Sequence, residues 1–357
     1  MKARLPHRTL SKLCLGVALA LFACGMSPHV AAAQSGTDGS RWRVPMTAFG
    51  QPDLQGNWSN ATLTPLTRRS GQPAVLTWEE VRAIESGAAE AVNEAINEPS
   101  DPDRPLPPGG ANPVCIDSGT TCYNEVYRDP GDRVAVVWGE PRSSILSRPD
   151  GRVPALTPEA RAILAEIREA GRQQVGGAFD NPEARPLAER CLASFGSNAG
   201  PPMLPNYWYN NNYTIVQSPD AIVIMTEMVH DARIIHLGER TPLPGGIEPW
   251  FGDSWGHWEG NTLVVETTNI NPDNIFQSVP LSDRGKIIER FTRTSDDAFV
   301  YEFTVDDPGR YMEPWGGELP FNRLDDLVYE YACHEGNYAL EGVLRGARYD
   351  EANESGR

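Results

Sequence analysis

The sequence predicts a mainly β protein in which antiparallel strands close into a barrel, with a few α-helices in its N-terminal part. From residue 206 onward, strand-like segments follow one another with turn signals between them, and none shows a helical period. Closely spaced strands without intervening helices favour an antiparallel sheet that closes or folds over itself. Closure also removes exposed strand edges, so a barrel is preferred and a β-sandwich is the alternative.

Seven segments carry the strand pattern. They are Asn212–Gln217, Ala221–Met228, Ala232–Leu237, Thr262–Thr268, Lys286–Thr294, Ala298–Val305 and Leu327–Cys333. The segment from Trp250 to Gly260 holds three Trp and one Phe among glycines, and it is interpreted as an aromatic loop or hairpin. Its turn is predicted at Gly260-Asn261, directly before Thr262.

Two helices precede the strands. The first runs from Thr77 to about Asn97, because Thr77 followed by Glu80 forms a capping box that satisfies backbone N–H groups at the helix start. The second runs from Glu159 to Ala170 and is opened by Thr157-Pro158, a typical N-cap followed by proline at the first helical position.

The organisation predicted for the chain is a signal peptide over residues 1–33, a wrapping region over residues 34–205 and a barrel region over residues 206–357. The wrapping region contains the two helices and a proline-rich stretch, Glu98–Pro113, in which no regular element is expected. The wrapping and barrel regions are expected to form one compact unit, with the helices packed outside the barrel or plugging one end.

The first 33 residues predict export. Four basic residues precede a short apolar core, Leu13–Phe22, and Ala31-Ala32-Ala33 fits cleavage by signal peptidase. The apolar core is too short for a stable membrane anchor, and a periplasmic or secreted location is predicted. An alternative is a lipoprotein, because Leu21-Phe22-Ala23-Cys24 resembles a lipidation box with the anchor at Cys24.

The charge of the chain excludes some partners. The formal net charge of the full chain is -17, and it becomes about -21 without the first 33 residues, which hold four basic and no acidic residues. Such a chain is repelled by phosphate backbones, so nucleic-acid binding is not expected. No later segment is apolar enough to span a membrane. The expected partner is a small-molecule ligand or substrate.

Four cysteines remain after the signal peptide: Cys115, Cys122, Cys191 and Cys333. An even number in an exported chain indicates disulfide bonds. Cys115 and Cys122 flank a turn-prone loop and are a natural local pair, which leaves Cys191 with Cys333 as a long-range pair. Because four cysteines allow three pairings, this assignment is a preference, and free buried thiols are the alternative.

Strand alternation places ionisable side chains opposite aromatic ones. Glu302 alternates with aromatic residues in its strand, and Glu330 and His334 do so in the segment that begins at Leu327. Either the aromatic face is the core and the polar face is in water, or the N-terminal region covers the polar face and that face lines a cavity. Both interpretations remain open at the level of the sequence.

Ionisable and aromatic side chains are concentrated in Tyr329–Tyr338, which contains His334 and Glu330. A His next to a carboxylate can act as acid or base at neutral pH, so His334, with Glu330 or Glu302, is predicted to be catalytic. His230 follows Glu227 at a strand boundary and is a further catalytic candidate.

Other residues are predicted to hold a substrate. Arg233 offers a bidentate fork to a carboxylate. Aromatic rings and nearby polar groups would line an apolar ligand site. The predicted binding residues are Arg233, Asp253, Trp255, His257, Trp258, Tyr331 and Tyr338. For all of these, packing, capping or surface ion pairing is the alternative role.

No cofactor or metal is predicted. The chain lacks the Gly-x-Ser-x-Gly elbow, the phosphate loop, the dinucleotide fingerprint and the His-Glu-x-x-His motif. The four His residues beyond the signal peptide are not at a tight metal-ligand spacing.

Several motifs resemble a family of exported bacterial proteins of unassigned function. The motifs include Glu330–Tyr338 (EYACHEGNY) and Gly252–Val265, which has the pattern GDSxGxWEGxTLVV, and together with shorter stretches they cover most of the mature chain. This resemblance implies export and a single large β-rich unit. Separately, Gly56-Asn57-Trp58 is similar to the Gly-x-Trp at the start of a lipocalin barrel, which is an analogy of fold that does not fix function.

Together these patterns predict an exported small-molecule enzyme that uses metal-free acid/base chemistry of the lyase, isomerase or hydrolase type in an aromatic-lined pocket. The alternative is a non-catalytic periplasmic carrier of a hydrophobic or aromatic ligand. A carrier would have an apolar cavity with charges at its mouth, whereas an enzyme would bring a His and carboxylates within reach of each other. An envelope interaction module without a sizeable cavity is the third option.

Overall fold

The computed structural model describes residues 42–97, 129–172, 179–193, 200–205, 210–241, 243–244, 246–274 and 281–354. The predicted signal peptide, the whole proline-rich stretch, and Cys115 and Cys122 lie outside these ranges. Residues Arg43–Arg357 form one compact unit.

The described chain contains eleven strands and three α-helices. The strands are β1 (Gly56–Ser59), β2 (Val136–Val137), β3 (Glu140–Pro141), β4 (Asn212–Gln217), β5 (Ala221–Thr226), β6 (Ala232–Leu237), β7 (Asp253–Glu259), β8 (Thr262–Thr268), β9 (Lys286–Arg293), β10 (Ala298–Asp306) and β11 (Trp315–Arg323). The α-helices are α1 (Trp78–Asn97), α2 (Pro158–Arg172) and α3 (Tyr338–Glu354).

Nine strands form a closed barrel in the order β1-β11-β10-β9-β8-β7-β6-β5-β4, and β1 pairs with β4 to complete the ring. The predicted mainly β barrel with few helices is therefore confirmed. All neighbouring strands are antiparallel except β6 and β7, which run parallel. We call the end at which β5 finishes and β6 begins the upper end of the barrel.

Most predicted elements form as expected. Helix α1 begins with the predicted capping box, in which the Glu80 backbone N–H donates to Thr77 Oγ1 (3.2 Å) and the Thr77 N–H donates to Glu80 Oε2 (2.7 Å). Helix α2 is capped by Thr157, whose Oγ1 accepts from the Ala160 N–H at 3.1 Å. The aromatic segment is a hairpin of β7 and β8 that turns at Gly260-Asn261.

The predicted strand at Leu327–Cys333 is wrong. These residues form no strand, and they belong to a mostly exposed segment, residues 324–337, that we call the C-terminal connector. The last barrel strand is instead β11, where Pro320, Gly316 and Gly317 hide the strand pattern. Pro320 has no N–H to donate. On the same edge of β11, the Glu318 N–H donates to Ile145 O and the Leu324 N–H donates to Asn57 O. Pro320 lies between these two hydrogen-bonded positions, so its missing N–H is tolerated.

The N-terminal region contributes to the barrel wall. Strand β1 closes the ring, and Leu146 forms a bridge to Gly317 of β11. The backbone N–H of Glu318 donates to Ile145 O, and that of Ser147 donates to Gly316 O. Residues 145–147 therefore extend the sheet beside β11 where β1 is too short to reach.

The barrel interior is a packed aromatic and aliphatic core. Phe291, Phe299, Tyr301 and Phe321 point inward and lie with ring centroids about 5–6 Å apart. Such contacts between edges and faces of rings are favourable. The aromatic face of β10 is thus core, and Glu302 is on the outer face.

The lower end is closed by the residues before β1. Gln217 accepts a hydrogen bond from the Leu54 N–H (2.6 Å) and donates to Pro52 O (3.1 Å). Arg293 donates to the carbonyls of Asp53 and Asp296, each at 2.8 Å. Buried polar side chains are thus satisfied by backbone groups of the segment that covers this end.

Trp58 links that closure to the core. It is fully buried, its Nε1 donates to Leu54 O at 2.9 Å, and its ring packs against Phe299 at 4.9 Å. We expect Trp58→Phe to lower the free energy of unfolding by about 1–3 kcal/mol, because the Leu54 carbonyl loses its donor inside the barrel. Urea unfolding measures this, with Trp78→Phe at an exposed site as the control, and equal effects of the two substitutions would contradict it.

Within the described ranges, no helix has the length and apolarity that crossing a membrane requires.

Candidate functional site

The β5–β6 turn at the upper end of the barrel is held in an unusual backbone conformation. Val229 has φ 61° and ψ 2°, and His230 has φ 43°. Two consecutive non-glycine residues in the left-handed region, one of them β-branched, cost about 1–3 kcal/mol each and occur most often at functional sites. The turn is fixed by hydrogen bonds from the Thr226 N–H to Asp231 O and from the His230 N–H to Glu227 O.

The imidazole of His230 has a defined orientation. Its Nδ1 lies 2.7 Å from the backbone carbonyl oxygen of Tyr331. Because a carbonyl oxygen only accepts, Nδ1 carries the proton and donates it, and Nε2 of the neutral ring keeps its lone pair. The His230 side chain is exposed, so a small molecule can reach it from solvent.

Carboxylates lie beside His230. Asp231 is half-buried, and this burial raises the pKa of its carboxyl group, while the neighbouring His230 acts in the opposite direction. Glu227 is buried and accepts a hydrogen bond from Asn212 Nδ2 at 2.8 Å. The turn therefore brings one His and two carboxyl groups into five consecutive residues.

An apolar cluster adjoins the same turn. Met228, Val229 and Phe251 are buried together, and Trp250 and Tyr331 pack against them half-exposed. Burial raises the pKa of the Tyr331 hydroxyl. The upper end thus presents aromatic surface next to an oriented imidazole, which is the combination that small-molecule sites commonly have.

The C-terminal connector is fastened over this end by a covalent bond. Cys191 and Cys333 lie at disulfide-bonding distance, with Sγ–Sγ 1.94 Å and Cα–Cα 5.8 Å, as the sequence predicted. Asn337 Nδ2 also donates to Glu189 O at 2.7 Å. These contacts hold Tyr331, two residues before Cys333, where its carbonyl meets His230.

Arg233 follows the turn and points into the barrel. Its guanidinium forms a bidentate ion pair with Glu289, at 2.8 and 3.1 Å, and both side chains are buried. Tyr301 donates from its hydroxyl to Glu289 Oε1 (2.8 Å) and accepts from the Met203 N–H (2.9 Å). Arg233, predicted to bind a substrate carboxylate, is thus already bonded to a carboxylate of the chain.

The other predicted catalytic residues lie elsewhere. His334 and Glu330 are exposed on the C-terminal connector. Glu302 lies on the outer face of β10, in a pocket of about 330 Å³ that neither His334 nor Glu330 lines. The expectation that His334 and Glu330 occupy a strand face beside Glu302 is therefore wrong, because the strand on which it relied does not form.

The predicted binding residues of β7 alternate between the two faces of the sheet. Trp258 points inward and packs against the core. On the outer side, Trp255 donates to Asp253 Oδ1 (3.0 Å) and lies 5.0 Å from the His236 ring, while His257 is exposed beside Glu259. These four residues do not face one space.

Of the predicted site residues, His230 and Tyr331 are brought into direct contact, while Tyr338 is exposed at the start of α3. Glu289, the partner of Arg233, was not among the predicted site residues. An available signal was its inward position between Ile287 and Phe291, where an acid needs a buried partner.

In the part of the chain that the structure describes, no group of three or more His, Cys, Asp or Glu side chains is arranged to hold a metal ion. Comparisons of the chain with protein-family models, with curated proteins and with solved structures give no match.

Proposed function

We propose that this protein is an exported small-molecule enzyme that uses metal-free acid/base chemistry of the lyase, isomerase or hydrolase type, with His230 as the proton-transfer group. One observation carries the proposal: the Tyr331 carbonyl fixes the Nδ1–H tautomer of His230 and leaves Nε2 directed away from that contact. An imidazole with a fixed tautomer needs little reorganisation when it accepts a proton.

In the proposed mechanism, Nε2 of His230 removes a proton from a substrate carbon or from a water molecule. The positive charge that forms on the ring is stabilised by the neighbouring Asp231 carboxyl group and by the Nδ1–H···O hydrogen bond to Tyr331. The imidazolium then returns the proton to another carbon, to a leaving group or to the departing part of a hydrolysed bond. The catalyst is regenerated in each case.

The substrate class follows from the neighbouring side chains. Trp250 and Tyr331 are half-exposed and offer aromatic surface over the buried Phe251, and ring stacking on such residues favours a flat or apolar molecule. Burial of the aromatic part of a substrate against them would place its acidic position near His230. We therefore propose an aromatic or hydrophobic small molecule as the substrate.

We further propose a periplasmic or secreted location and membership of the exported family that the motifs resemble. The Cys191–Cys333 pair supports export, because disulfide bonds form and persist mainly in oxidising compartments.

Two probe reactions test the proposal. Hydrolysis of p-nitrophenyl acetate reports attack or base catalysis by an imidazole, and deuterium exchange at the α-carbon of phenylacetone reports carbon-proton abstraction. We expect His230→Gln to lower the rate of at least one reaction about 100-fold or more. His257→Gln and His334→Gln are the matched controls, since both residues are exposed, and neither should change the rate.

Equal rates for the wild-type protein and His230→Gln in both reactions would contradict the proposed role of His230. The carrier alternative then makes its own prediction at the same cluster. An aromatic probe such as 1-naphthol would bind without turnover, and Trp250→Ala would weaken that binding while His230→Gln would not.

A further inference from the structure

The outer wall of the barrel contains a pocket, away from the β5–β6 turn. Its volume is about 330 Å³. The floor is formed by β10 and β11, and the segment that runs beside β11 forms one side. The lining residues are Ser147, Arg148, Glu302, Phe303, Thr304, Pro314, Trp315, Gly316, Gly317 and Glu318.

Two glycines allow this side of the pocket to form. A Cβ on Gly317 would lie 2.5 Å from Ile145 O, and a Cβ on Gly316 would collide with the Phe303 carbonyl. The segment at Ile145 therefore packs directly against β11, and β11 itself lies close to the Phe303 carbonyl of β10. This close packing fixes the position of the pocket wall.

Charges alternate across the outer face of the sheet up to the pocket. Glu259 pairs with Arg290 of β9 at 2.9 Å, and Arg290 is the cross-strand neighbour of Glu302. On the other side, Glu302 is directly opposite Glu318, whose own partner is Arg142 at 2.7 Å. The alternation is broken at Glu302, where a second acid follows instead of a base.

Glu302 is the carboxylate without a partner. Within the described residues, it makes no hydrogen bond or ion pair, because Arg290 and Arg142 are bonded to other acids. Arg148 lines the pocket, but it is bonded to Glu313 at 2.7 Å. Burial, and then the facing Glu318, raise the pKa of the Glu302 carboxyl group, while Arg290 opposes this. A cation in the pocket would offset both effects, because it favours the charged form of the carboxyl group.

We propose that this pocket binds a small organic cation, a molecule with a primary ammonium or guanidinium group bonded to Glu302. The cation occupies the position at which the cross-strand alternation of charge lacks a base, and its apolar part lies against the exposed Pro314 at the edge of the pocket. This site is independent of His230 and of the proposed enzymatic activity.

Titration with n-hexylammonium chloride, followed by amide chemical shifts of the isotope-labelled protein at low ionic strength, tests the site. We expect shifts of the amides of residues 302–304 and 314–318, with 1-hexanol binding at least five-fold more weakly because it lacks the charge. Glu302→Gln is expected to weaken the binding of the ammonium at least five-fold. Glu266→Gln removes the same charge from the same sheet outside the pocket and should change the affinity less than two-fold.

Two further measurements sharpen the test. Glu259→Gln removes the partner of Arg290, so that Arg290 can pair with Glu302 instead. This substitution is therefore expected to weaken cation binding at least two-fold. Lowering the pH through the raised pKa of Glu302 should also weaken binding, because the protonated carboxyl no longer attracts a cation. The charged groups that face Glu302 are Arg290, Glu318 and Arg148.

Equal affinity of the wild-type protein and Glu302→Gln for n-hexylammonium would overturn the proposal, and so would equal binding of 1-hexanol. Because Glu302 and Glu266 are both on the barrel surface, neither Glu302→Gln nor Glu266→Gln is expected to prevent folding. A comparison of thermal unfolding for Glu302→Gln and Glu266→Gln establishes this before the titrations.

Discussion

Arg233→Met is expected to lower the free energy of unfolding by about 3–5 kcal/mol, which is the cost of leaving one partner of a buried ion pair without the other. The remaining Glu289 is fully buried, and its other polar partner is the Tyr301 hydroxyl. The carboxylate would have to stay charged inside the barrel or take up a proton. Chemical denaturation at neutral pH measures the loss.

Two control variants separate this effect from a general loss of packing. Arg233→Met combined with Glu289→Leu removes both charges and should recover most of the stability, because a buried ion pair can be replaced by apolar residues of similar volume. Arg345→Met breaks the exposed pair with Glu341 on α3 and should cost less than about 1 kcal/mol. A double variant as unstable as Arg233→Met would contradict the ion-pair explanation.

The second large effect is expected from removal of the Cys191–Cys333 bond. The bond joins residues 142 positions apart, and loop entropy predicts a loss of up to about 5 kcal/mol on conversion of both residues to Ser, with about 2–5 kcal/mol usual for native disulfides. The C-terminal connector should also detach more readily, because few other contacts fasten its exposed residues.

Two measurements follow these changes. Thermal unfolding reports the stability of the barrel, and limited proteolysis reports cleavage within residues 324–337. His230 gives a third readout, because loss of the Tyr331 carbonyl would let its imidazole exchange between tautomers, which the nitrogen chemical shifts of the ring detect. Unchanged proteolysis and an unchanged His230 tautomer would show that the other contacts suffice to hold the connector.

The local elements of the fold could be predicted from neighbouring residues. The Thr77–Glu80 capping box defines the start of α1, and the alternation in β4, β6 and β8 defines strands whose bounds match those in the structure. These features depend on residues close in the chain, where periodicity and capping act directly. The same is true of the inward aromatic face of β10. The closed barrel followed from the order of such strands.

The strand predicted at Leu327–Cys333, in the C-terminal part of the chain, does not form. Leu327–Cys333 has the alternation of a strand but no free strand edge to pair with, because β11 pairs with β10 along its length while β1 and the segment at Ile145 occupy its other edge. Strand formation requires a partner as well as a pattern. No helix was predicted for the residues that form α3.

Contacts between chemical groups that are distant in the chain depend on the path of the folded chain. His230 and Tyr331 are 101 positions apart, and their contact depends on the path of the connector from β11 to Cys333. Arg233 and Glu289 are 56 positions apart, and they meet because both point inward from strands of one closed sheet. Local patterns fix the face on which a side chain lies, but the closure of the barrel and the Cys191–Cys333 bond fix its neighbours.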